Sequence, residues 1–554
     1  MRRMVCSVLI FAALPVWAAQ PVRARRAMVV TRERHATRVG VEVLLAGGNA
    51  VDAAVAVGFA LAVTHPSAGN IGGGGFMLAR FADGRTTFID FREQAPAAAS
   101  RNMYLDASGK ATEDSLVGYR AAGVPGTVRG LEYAHRRYGR KPWAELVAPA
   151  VELARKGFPV SWGLAGSLKN AAKNLSRFPE SNRIFLRHGK YYEPGETLVQ
   201  PELARVLARI QDSGARDFYE GETARLLAAD MKAHGGHVTL EDLKNYTAVE
   251  RQPLSGSYRG CTIITAALPS SGGAGVLQML GVLEGTGFEK AGWGSALAIH
   301  YMAEAQRRFF ADRARHFGDP DFVKVPLSSL LAPSYLAKLR SSILPDHATP
   351  SQELRGGAFT GRESTETTHF TIADPEGNVV ALTYTINAGY GAKVTATGLG
   401  FLLNNEMDDF APQPGEPNSY GLVQGEANAI QPRKRPLSSM TPTIVLREGK
   451  PYLALGSPGG PTIINTVLEV IVNVLDFGLN VQDAVNRPRF HHQWMPDAIS
   501  MEPGFSPDTM ALLEARGHKI RRMAAQGEVA AILFAGGYLQ GAPDPRVEAA
   551  AEGF

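Results

Sequence analysis

The sequence predicts an α+β fold in which layers of helices and sheets pack on one another. Helical patterns dominate residues 36–63, 120–250 and 296–345, whereas alternating β-branched runs joined by tight turns follow residue 366. Helical blocks followed by antiparallel hairpins favour layered α and β structure over a doubly wound parallel sheet. The chain has 554 residues, 45% hydrophobic and 20% charged, which is the composition of a globular protein with a large core.

The N-terminal segment, residues 1–18, has the pattern of a secretory signal peptide. Two arginines precede an apolar run from Met4 to Trp17, and Val16-Trp17-Ala18 is a candidate cleavage site. The run is shorter than the roughly 20 residues of a membrane-spanning helix, so a signal peptide is favoured over an uncleaved anchor. We therefore expect export, to the periplasm or the medium, and no stable membrane span.

The charge argues against a nucleic-acid partner, and the cysteine content argues against an intrachain disulfide. Removing residues 1–18 lowers the formal net charge from +5 by two, and the remaining basic clusters are short, so no nucleic-acid partner is expected. Cys6 lies in the signal peptide, which leaves Cys261 without an intrachain disulfide partner. Cys261 lies in an apolar run and is expected to be buried.

The elements before residue 346 follow from local patterns. The helical pattern of residues 36–63 is broken by Gly47 and Gly48, and a glycine loop follows it. The runs FMLARF and TTFIDFRE then form a hairpin around a turn at Asp83. Residues 346–366 are polar and show no periodicity, so they are predicted to be an exposed linker.

Two hairpins and a helix are predicted after the linker. If the strands TTHFTIAD and VVALTYTIN pair around the loop 374–378, Thr367 faces Thr385, and hydroxyl and amide groups share one face while Phe370 lies on the other. A register shift of one residue would reverse these faces. A second hairpin turns at residues 448–450, and a helix follows the segment PGGP.

Thr367 stands between a linker and a strand. A threonine hydroxyl becomes a good nucleophile when a base takes its proton, and a free α-amino group, with a reference pKa of about 7.7–8.0, can be that base. A cut between Glu366 and Thr367 would create this amine, as in the precursor of an N-terminal nucleophile hydrolase. The plainer interpretation is a threonine pair on a solvated strand face.

Seven segments then match the signatures of one family. They are FREQAP, ETTHF, YTIN, NNEMDDF, YGLVQGEANAIQPRKRPLSSMTPTIV, GSPGG and NRPRFHHQW, in the family's order. The chain therefore resembles the γ-glutamyltransferases over nearly all of the sequence after residue 36. The resemblance implies a precursor that cuts itself into a large subunit, 19–366, and a small subunit, 367–554. It also implies a four-layer αββα sandwich of the N-terminal nucleophile hydrolase type, formed by both subunits, and no cofactor.

The resemblance assigns roles to individual residues. Thr367 matches the nucleophile, Thr385 the threonine that hydrogen-bonds to it, and Glu366–Thr367 the cleaved bond. The residues matching the family's substrate ligands are Arg92, Ser438 and Ser439 for the α-carboxylate and Asn387, Glu406 and Asp409 for the α-ammonium. A guanidinium fork suits a carboxylate. Without the resemblance, the two serines would be interpreted as a turn.

Three further positions complete the expected site. Gly459 and Gly460 match the backbone donors of an oxyanion hole, which residues without side chains at a helix N-terminus can approach closely. Residues 415–425 resemble a lid loop found in a subset of the family, with Tyr420 at its closing position. The adjacent histidines 491–492 project in different directions and predict no metal site.

The function implied is γ-glutamyl acyl transfer. The enzyme would hydrolyse the γ-glutamyl bond of glutathione and its conjugates, or transfer the group to amino acids or peptides, through an ester on Thr367. The alternatives are a cephalosporin (glutaryl) acylase on the same scaffold, whose substrate lacks the α-ammonium, and an inactive exported binding protein. Asn387, Glu406 and Asp409 favour the γ-glutamyl substrate. A serine hydrolase is disfavoured because no G-x-S-x-G segment occurs.

Overall fold

The computed structural model describes residues 19–187, 189–354, 367–411, 413–414 and 423–554. The predicted signal peptide, the cleavage-site residue Glu366 and the lid residue Tyr420 lie outside these ranges. Within the ranges, none of the helices combines the length and the apolar character that crossing a membrane requires.

The helices and strands fall into two parts, one before residue 355 and one after residue 366. The first part contains β1 (Val22–Ala24), β2 (Met28–Thr31), α1 (Arg34–Leu45), α2 (Ala50–Thr64), β3 (Gly74–Arg80), β4 (Thr86–Phe91), α3 (Thr127–Tyr138), α4 (Trp143–Lys156), β5 (Phe158–Pro159), α5 (Trp162–Leu175), α6 (Pro179–Phe185), β6 (Leu186–Arg187), β7 (Lys190–Tyr191), β8 (Thr197–Leu198), α7 (Pro201–Ser213), α8 (Ala215–Glu220), α9 (Glu222–Ala233), α10 (Leu240–Asn245), β9 (Val249–Arg251), β10 (Leu254–Tyr258), β11 (Cys261–Thr265), α11 (Gly272–Leu283), α12 (Ala296–His316), α13 (Leu327–Leu330) and α14 (Pro333–Ser341). The second part contains β12 (Thr368–Ala373), β13 (Val379–Thr385), β14 (Thr443–Arg447), β15 (Lys450–Gly456), α15 (Thr462–Leu475), α16 (Val481–Asn486), β16 (Phe490–His491), β17 (Ile499–Met501), α17 (Pro507–Ala515), β18 (Ile520–Arg522), β19 (Ala530–Ala535), β20 (Tyr538–Pro543) and β21 (Ala550–Gly553).

Two seven-stranded antiparallel sheets form the middle of the molecule. One has the order β1-β20-β19-β15-β14-β11-β10 and the other β21-β2-β12-β13-β3-β4-β9. Strands β12 and β13 of the second sheet pack on β15 and β19 of the first. Helices α1, α2 and α3 pack on the second sheet, and α11, α15 and α16 pack on the first. The predicted four-layer αββα fold is confirmed.

Strands from the two parts of the chain are hydrogen-bonded neighbours in both seven-stranded sheets. The hairpin β12–β13 lies between β2 and β3, and β21 pairs with β2 at the edge. Neither part of the chain therefore contains all the strands of either seven-stranded sheet. A cut between the two parts would leave them joined by backbone hydrogen bonds and by a shared core.

The β12–β13 hairpin has the predicted register, with His369 opposite Thr383. Phe370 lies in the hydrophobic cluster that contains α2, whereas the Thr371 hydroxyl donates to the carbonyl of Ala530 in the facing sheet. Strand alternation therefore sends the apolar side chains toward the helices and the hydroxyl groups between the sheets.

The structure confirms three other sequence predictions and overturns one. The break at Gly47 and Gly48, the hairpin β3–β4 and the burial of Cys261 are confirmed. The exposed linker is wrong for Ser351, which is fully buried. The Ser351 hydroxyl accepts from the buried guanidinium of Arg307, which needs acceptors inside the protein.

Candidate active site

Thr367 directly precedes β12, at the end of the polar face between the two sheets. The hairpin register places it opposite Thr385, and the two hydroxyl oxygens are 3.4 Å apart, with Thr367 donating. The Thr385 hydroxyl also accepts from the backbone N–H of Asn387, at 2.8 Å. The predicted pairing of the two threonines is therefore present.

A cavity next to Thr367 gathers most of the predicted site. The predicted residues that line it are Arg92, Thr367, Thr385, Asn387, Glu406, Asp409, Ser438, Ser439 and Gly460. Gly459 is next in the chain to this lining and precedes α15, and both glycines have positive φ angles, +132° and +55°. A backbone of this shape disfavours a residue with a side chain.

The predicted carboxylate and ammonium ligands pair with one another in this structure. The Arg92 guanidinium, which is 1% exposed, forms ion pairs with Glu406 through Nη1 and with Asp409 through Nη2. Its Nε donates to the carbonyl of Pro436 at 3.2 Å. Opposite charges thus lie side by side in the cavity, so a zwitterionic amino-acid head group could pair with both sets.

Glu93 joins this cluster, although the sequence patterns did not single it out. Its carboxylate is fully buried and lies 3.6 Å from Nη1 of Arg92, and within the described ranges neither of its oxygens has a hydrogen-bond partner. Burial raises the pKa of Glu93 to about 7 and that of Glu406 well above its ordinary value. Burial opposes the charge on Arg92, but Glu406 and Asp409 raise its pKa.

Ser438 and Ser439 are both placed to donate a hydrogen bond. The Ser438 hydroxyl accepts from the backbone N–H of Met440 at 3.1 Å, and the Ser439 hydroxyl accepts from Nη2 of Arg313 at 3.3 Å. Because each oxygen already accepts a hydrogen bond, each hydroxyl proton can be directed to another acceptor. Such a pair suits a carboxylate.

Asn428 ties the two sides of the cavity together and was missed by the sequence analysis. Its amide donates to the carbonyl of Asp409 at 2.7 Å, and its Oδ1 accepts from the N–H of Leu437 at 3.0 Å. Gln424 donates to the same Asp409 carbonyl. Both residues lie in the long signature segment, but only their contacts distinguish them from its other polar residues.

His369 lies behind the nucleophile, between the sheets. Its Nδ1 is 2.8 Å from the Thr383 hydroxyl and its Nε2 is 3.0 Å from the Thr371 hydroxyl. Complete burial lowers the pKa of His369 to about 3, so the ring is neutral at physiological pH. Both ring nitrogens are thus used in holding the hairpin.

One buried group of potential metal ligands consists of His300, Glu304 and His518. Its donor atoms are already engaged: Nδ1 of His300 and Nε2 of His518 are 2.8 Å apart, and Glu304 forms ion pairs with Arg307 and Arg308. Two guanidinium groups on one carboxylate also disfavour a cation there. We interpret this group as part of a structural network.

The four-layer fold, with a threonine at the head of an inner strand and polar groups around it, defines an N-terminal nucleophile hydrolase. The model of the family "Gamma-glutamyltranspeptidase" matches residues 36–554. The chain therefore belongs to the γ-glutamyltranspeptidase family, and it is an enzyme.

Individual relatives extend this assignment. A glutathione hydrolase proenzyme of Escherichia coli (strain K12) is 50% identical over 529 residues, which cover 95% of this chain and 91% of the relative. An acylase ACY 1 proenzyme of Pseudomonas sp. (strain SE83) is 40% identical, over 93% of this chain and 91% of the relative.

Two solved structures share the architecture. A cephalosporin acylase from Bacillus halodurans superimposes with a TM-score of 0.85 at 26% identity, over 99% of both chains. A chain of the γ-glutamyltranspeptidase of Helicobacter pylori has a TM-score of 0.58 at 42% identity and covers 62% of this chain and 97% of its own.

Proposed function

We propose that this chain is an exported precursor that cuts itself before Thr367 and then hydrolyses γ-glutamyl bonds, as in glutathione and its conjugates, or transfers the γ-glutamyl group to amino acids and peptides. The observation that carries the proposal is the cavity in which Thr367 lies beside paired opposite charges, Arg92 with Glu406 and Asp409. This arrangement matches the α-carboxylate and α-ammonium of a γ-glutamyl group. Relatives named glutathione hydrolase proenzyme support it.

The cut would produce a large subunit, 19–366, and a small subunit, 367–554. Support comes from the two sheets, which mix strands of both parts and would hold the pieces together. It also comes from the Helicobacter pylori chain, which is matched almost completely by 62% of this chain, close to the share of residues 19–366.

The cut must proceed without an amine base on Thr367, because its nitrogen is still an amide in the precursor. The Thr367 oxygen attacks the carbonyl of Glu366, the C–N bond breaks, and an ester forms. Breaking that bond frees the α-amine of Thr367, which takes the proton of the hydroxyl. Water then hydrolyses the ester, which frees the carboxylate of Glu366 and the hydroxyl of Thr367. The mature enzyme reuses the same oxygen, with the new amine as its base.

Turnover begins with a substrate that is held by both sides of the cavity at once. Three residues hold the α-carboxylate and three hold the α-ammonium: Arg92, Ser438 and Ser439 for the first, and Asn387, Glu406 and Asp409 for the second. The Thr367 oxygen attacks the γ-carbonyl while its α-amine takes the proton, and the N–H groups of Gly459 and Gly460 stabilise the oxyanion. The leaving amine receives that proton, and water or an acceptor amine then resolves the ester. Tyr420 would close the lid over the substrate.

A glutaryl acylase is the second candidate, because the chain resembles a cephalosporin acylase in fold and ACY 1 in sequence. A glutaryl group has no α-ammonium, so it would leave the buried carboxylate of Glu406 and the partly buried one of Asp409 without a cationic partner from the substrate. Rates on γ-glutamyl and glutaryl anilides separate the two functions. We expect the γ-glutamyl compound to react much faster.

Variants of Thr367 test the proposal directly. Purified wild-type protein should run as two fragments, and the smaller should begin at Thr367 when its N-terminus is sequenced. Thr367→Ala should remain one inactive chain, while Thr367→Ser, which keeps a hydroxyl, should be cut slowly. A Thr367→Ala protein that is still cut at this bond, or still releases glutamate from glutathione, would rule the proposal out.

A further inference from the structure

Arg313 is a buried cation in the wall of the active-site cavity. It lies in the last turn of α12 and is 2% exposed. Its Nε donates to the Ser271 hydroxyl at 2.8 Å, and its Nη2 donates to the Ser439 hydroxyl at 3.3 Å. These two neutral hydroxyls are its hydrogen-bond partners within the described ranges.

Several other buried arginines in the described part of the chain have a carboxylate partner. Arg307 and Arg308 share Glu304, and Arg489 pairs with Asp544. In the described part of the chain, Arg313 has no carboxylate within ion-pair distance. Burial lowers the pKa of Arg313 to about 10, so it remains a cation at neutral pH. A buried charge without a counterion is strongly destabilising, so an anion in the cavity would compensate it.

The position of Arg313 identifies the kind of anion. Its guanidinium borders the cavity on the side of Ser438 and Ser439, whereas Glu406 and Asp409 surround Arg92. The acidic groups thus form their ion pairs with Arg92, while Arg313, which the charge of Asp409 reaches only from beyond ion-pair distance, lies on the serine side of the wall. This separation of charge matches an amino-acid head group, whose ammonium and carboxylate are attached to the same carbon atom.

The bond from Arg313 to Ser439 strengthens the match. Because the Ser439 oxygen accepts from Arg313, the hydroxyl proton of Ser439 is available to a carboxylate in the cavity. The guanidinium of Arg313 would approach that carboxylate from the same side as the hydroxyl. A serine hydroxyl and a cation would then act on the same anion.

We propose that Arg313 is a second cation for the α-carboxylate of the substrate, which it binds together with Ser439. The inference rests on the proposed function and deepens it, because it assigns part of substrate selection to α12, in the first part of the chain. Arg92 would then bind the same carboxylate from the opposite side while it remains paired with the acidic cluster.

The test compares two anilides that differ only in the α-carboxylate: γ-glutamyl-p-nitroanilide and 4-aminobutyryl-p-nitroanilide, which lacks it. Arg313→Gln should lower kcat/KM for the first by about 10- to 150-fold, the range for a hydrogen bond to a charged group, mainly through KM. For the second compound, variant and wild type should agree within about twofold. Arg315→Gln, which removes an exposed cation from the same helix, is the matched control and should behave as wild type.

A merely structural role would produce equal losses on both compounds, and that result, or no loss on either, would overturn the inference. If Arg313→Gln does not fold, Arg313→Lys decides: it keeps the charge but loses the fork, and its smaller loss should again be confined to the γ-glutamyl compound.

Calorimetric titration with glutamate and with 4-aminobutyrate separates this inference from the proposed function. Arg313→Gln should weaken the binding of glutamate and leave the binding of 4-aminobutyrate unchanged. This should hold even if the wild type does not cleave γ-glutamyl anilides. Equal affinity of wild type and variant for glutamate would overturn the role of Arg313 and leave the proposed function standing.

Discussion

Two buried charge clusters contact α12, and they differ in how completely their charges are paired. The α12 network consists of Glu304, Arg307, Arg308, His492 and Asp497. All three nitrogens of both guanidinium groups reach an acceptor there: Arg307 bonds to Glu304, Asp497 and Ser351, and Arg308 to Glu304 and the segment 342–349.

The active-site cluster consists of Arg92, Glu93, Arg313, Glu406 and Asp409. Among the described residues, both oxygens of Glu93 and Oε2 of Glu406 lack a hydrogen-bond partner, and Arg313 lacks a carboxylate. Buried polar groups are normally satisfied. The difference teaches that the guanidinium groups of the α12 network are satisfied by the fold itself, whereas the active-site cluster keeps unpaired groups beside a cavity in which a ligand could complete them.

Glu304→Ala should give the largest effect on stability. It leaves Arg307 and Arg308 buried without their shared carboxylate, so we expect the free energy of unfolding to fall by about 3–5 kcal/mol, measured in urea. Glu152→Ala is the matched control, because Glu152 pairs with Arg155 and Lys156 at the same helical spacings but in solvent. The control should be unchanged; equal losses in both variants would contradict the structural role of the α12 network.

Arg92→Ala should act on substrate binding. Truncating one partner of a buried ion pair removes about 2–5 kcal/mol of binding free energy, so kcat/KM on γ-glutamyl anilides should fall accordingly. Cutting at residue 366 should continue, since the carboxylate ligand takes no part in that step, and gel electrophoresis should show two fragments. Folded Arg92→Ala protein that stays uncut would show that Arg92 has another role.

Glu406→Gln should have a smaller effect and sharpen the contrast. The change keeps an acceptor but removes one of three carboxylates around Arg92. The activation free energy that corresponds to kcat/KM should therefore rise by at most about 1.5–3 kcal/mol. The free energy of unfolding should not fall, because the carboxylates repel one another. Unchanged rates together with equal turnover of glutaryl compounds would favour the acylase function.

Acid should weaken the α12 network and its neighbouring pair His300 and His518. Burial lowers the pKa of His492 to about 3, of His300 to about 4 and of His518 to about 2. The unfolded chain takes up protons near pH 6.5 that the folded chain does not. The stability that the neutral histidines contribute is therefore fully present above that pH and is lost as the pH falls. Each histidine contributes up to about 1.4 kcal/mol per pH unit.

Urea unfolding between pH 7.5 and 5 checks this dependence. His518→Gln, which can still donate to His300, should reduce the slope by the contribution of one histidine. The exposed His347→Gln is the control and should leave the slope unchanged. A slope in His518→Gln equal to that of the wild type would contradict the assignment.

Local patterns in the sequence determined the strands, the helix break and the hairpin that carries the nucleophile. The loop 374–378 and the alternation of Phe370 with hydroxyl residues were enough to place Thr367 opposite Thr385, because strand geometry makes position along the chain predict the facing residue. The substrate ligands came from matching segments rather than from geometry, and their roles stay predictions.

Only the tertiary structure decided which charges share the cavity. Arg313 is one of several arginines in α12, and Glu93 and Asn428 are each one of several polar residues in their segments. Nothing in the local sequence therefore distinguishes them from their neighbours. Burial and pairing depend on contacts between distant parts of the chain: Arg313 of α12 contacts Ser439, and Asn428 joins Asp409 to Leu437. Such contacts exist only once the sheets have packed, because a buried charge is selected by its spatial neighbours.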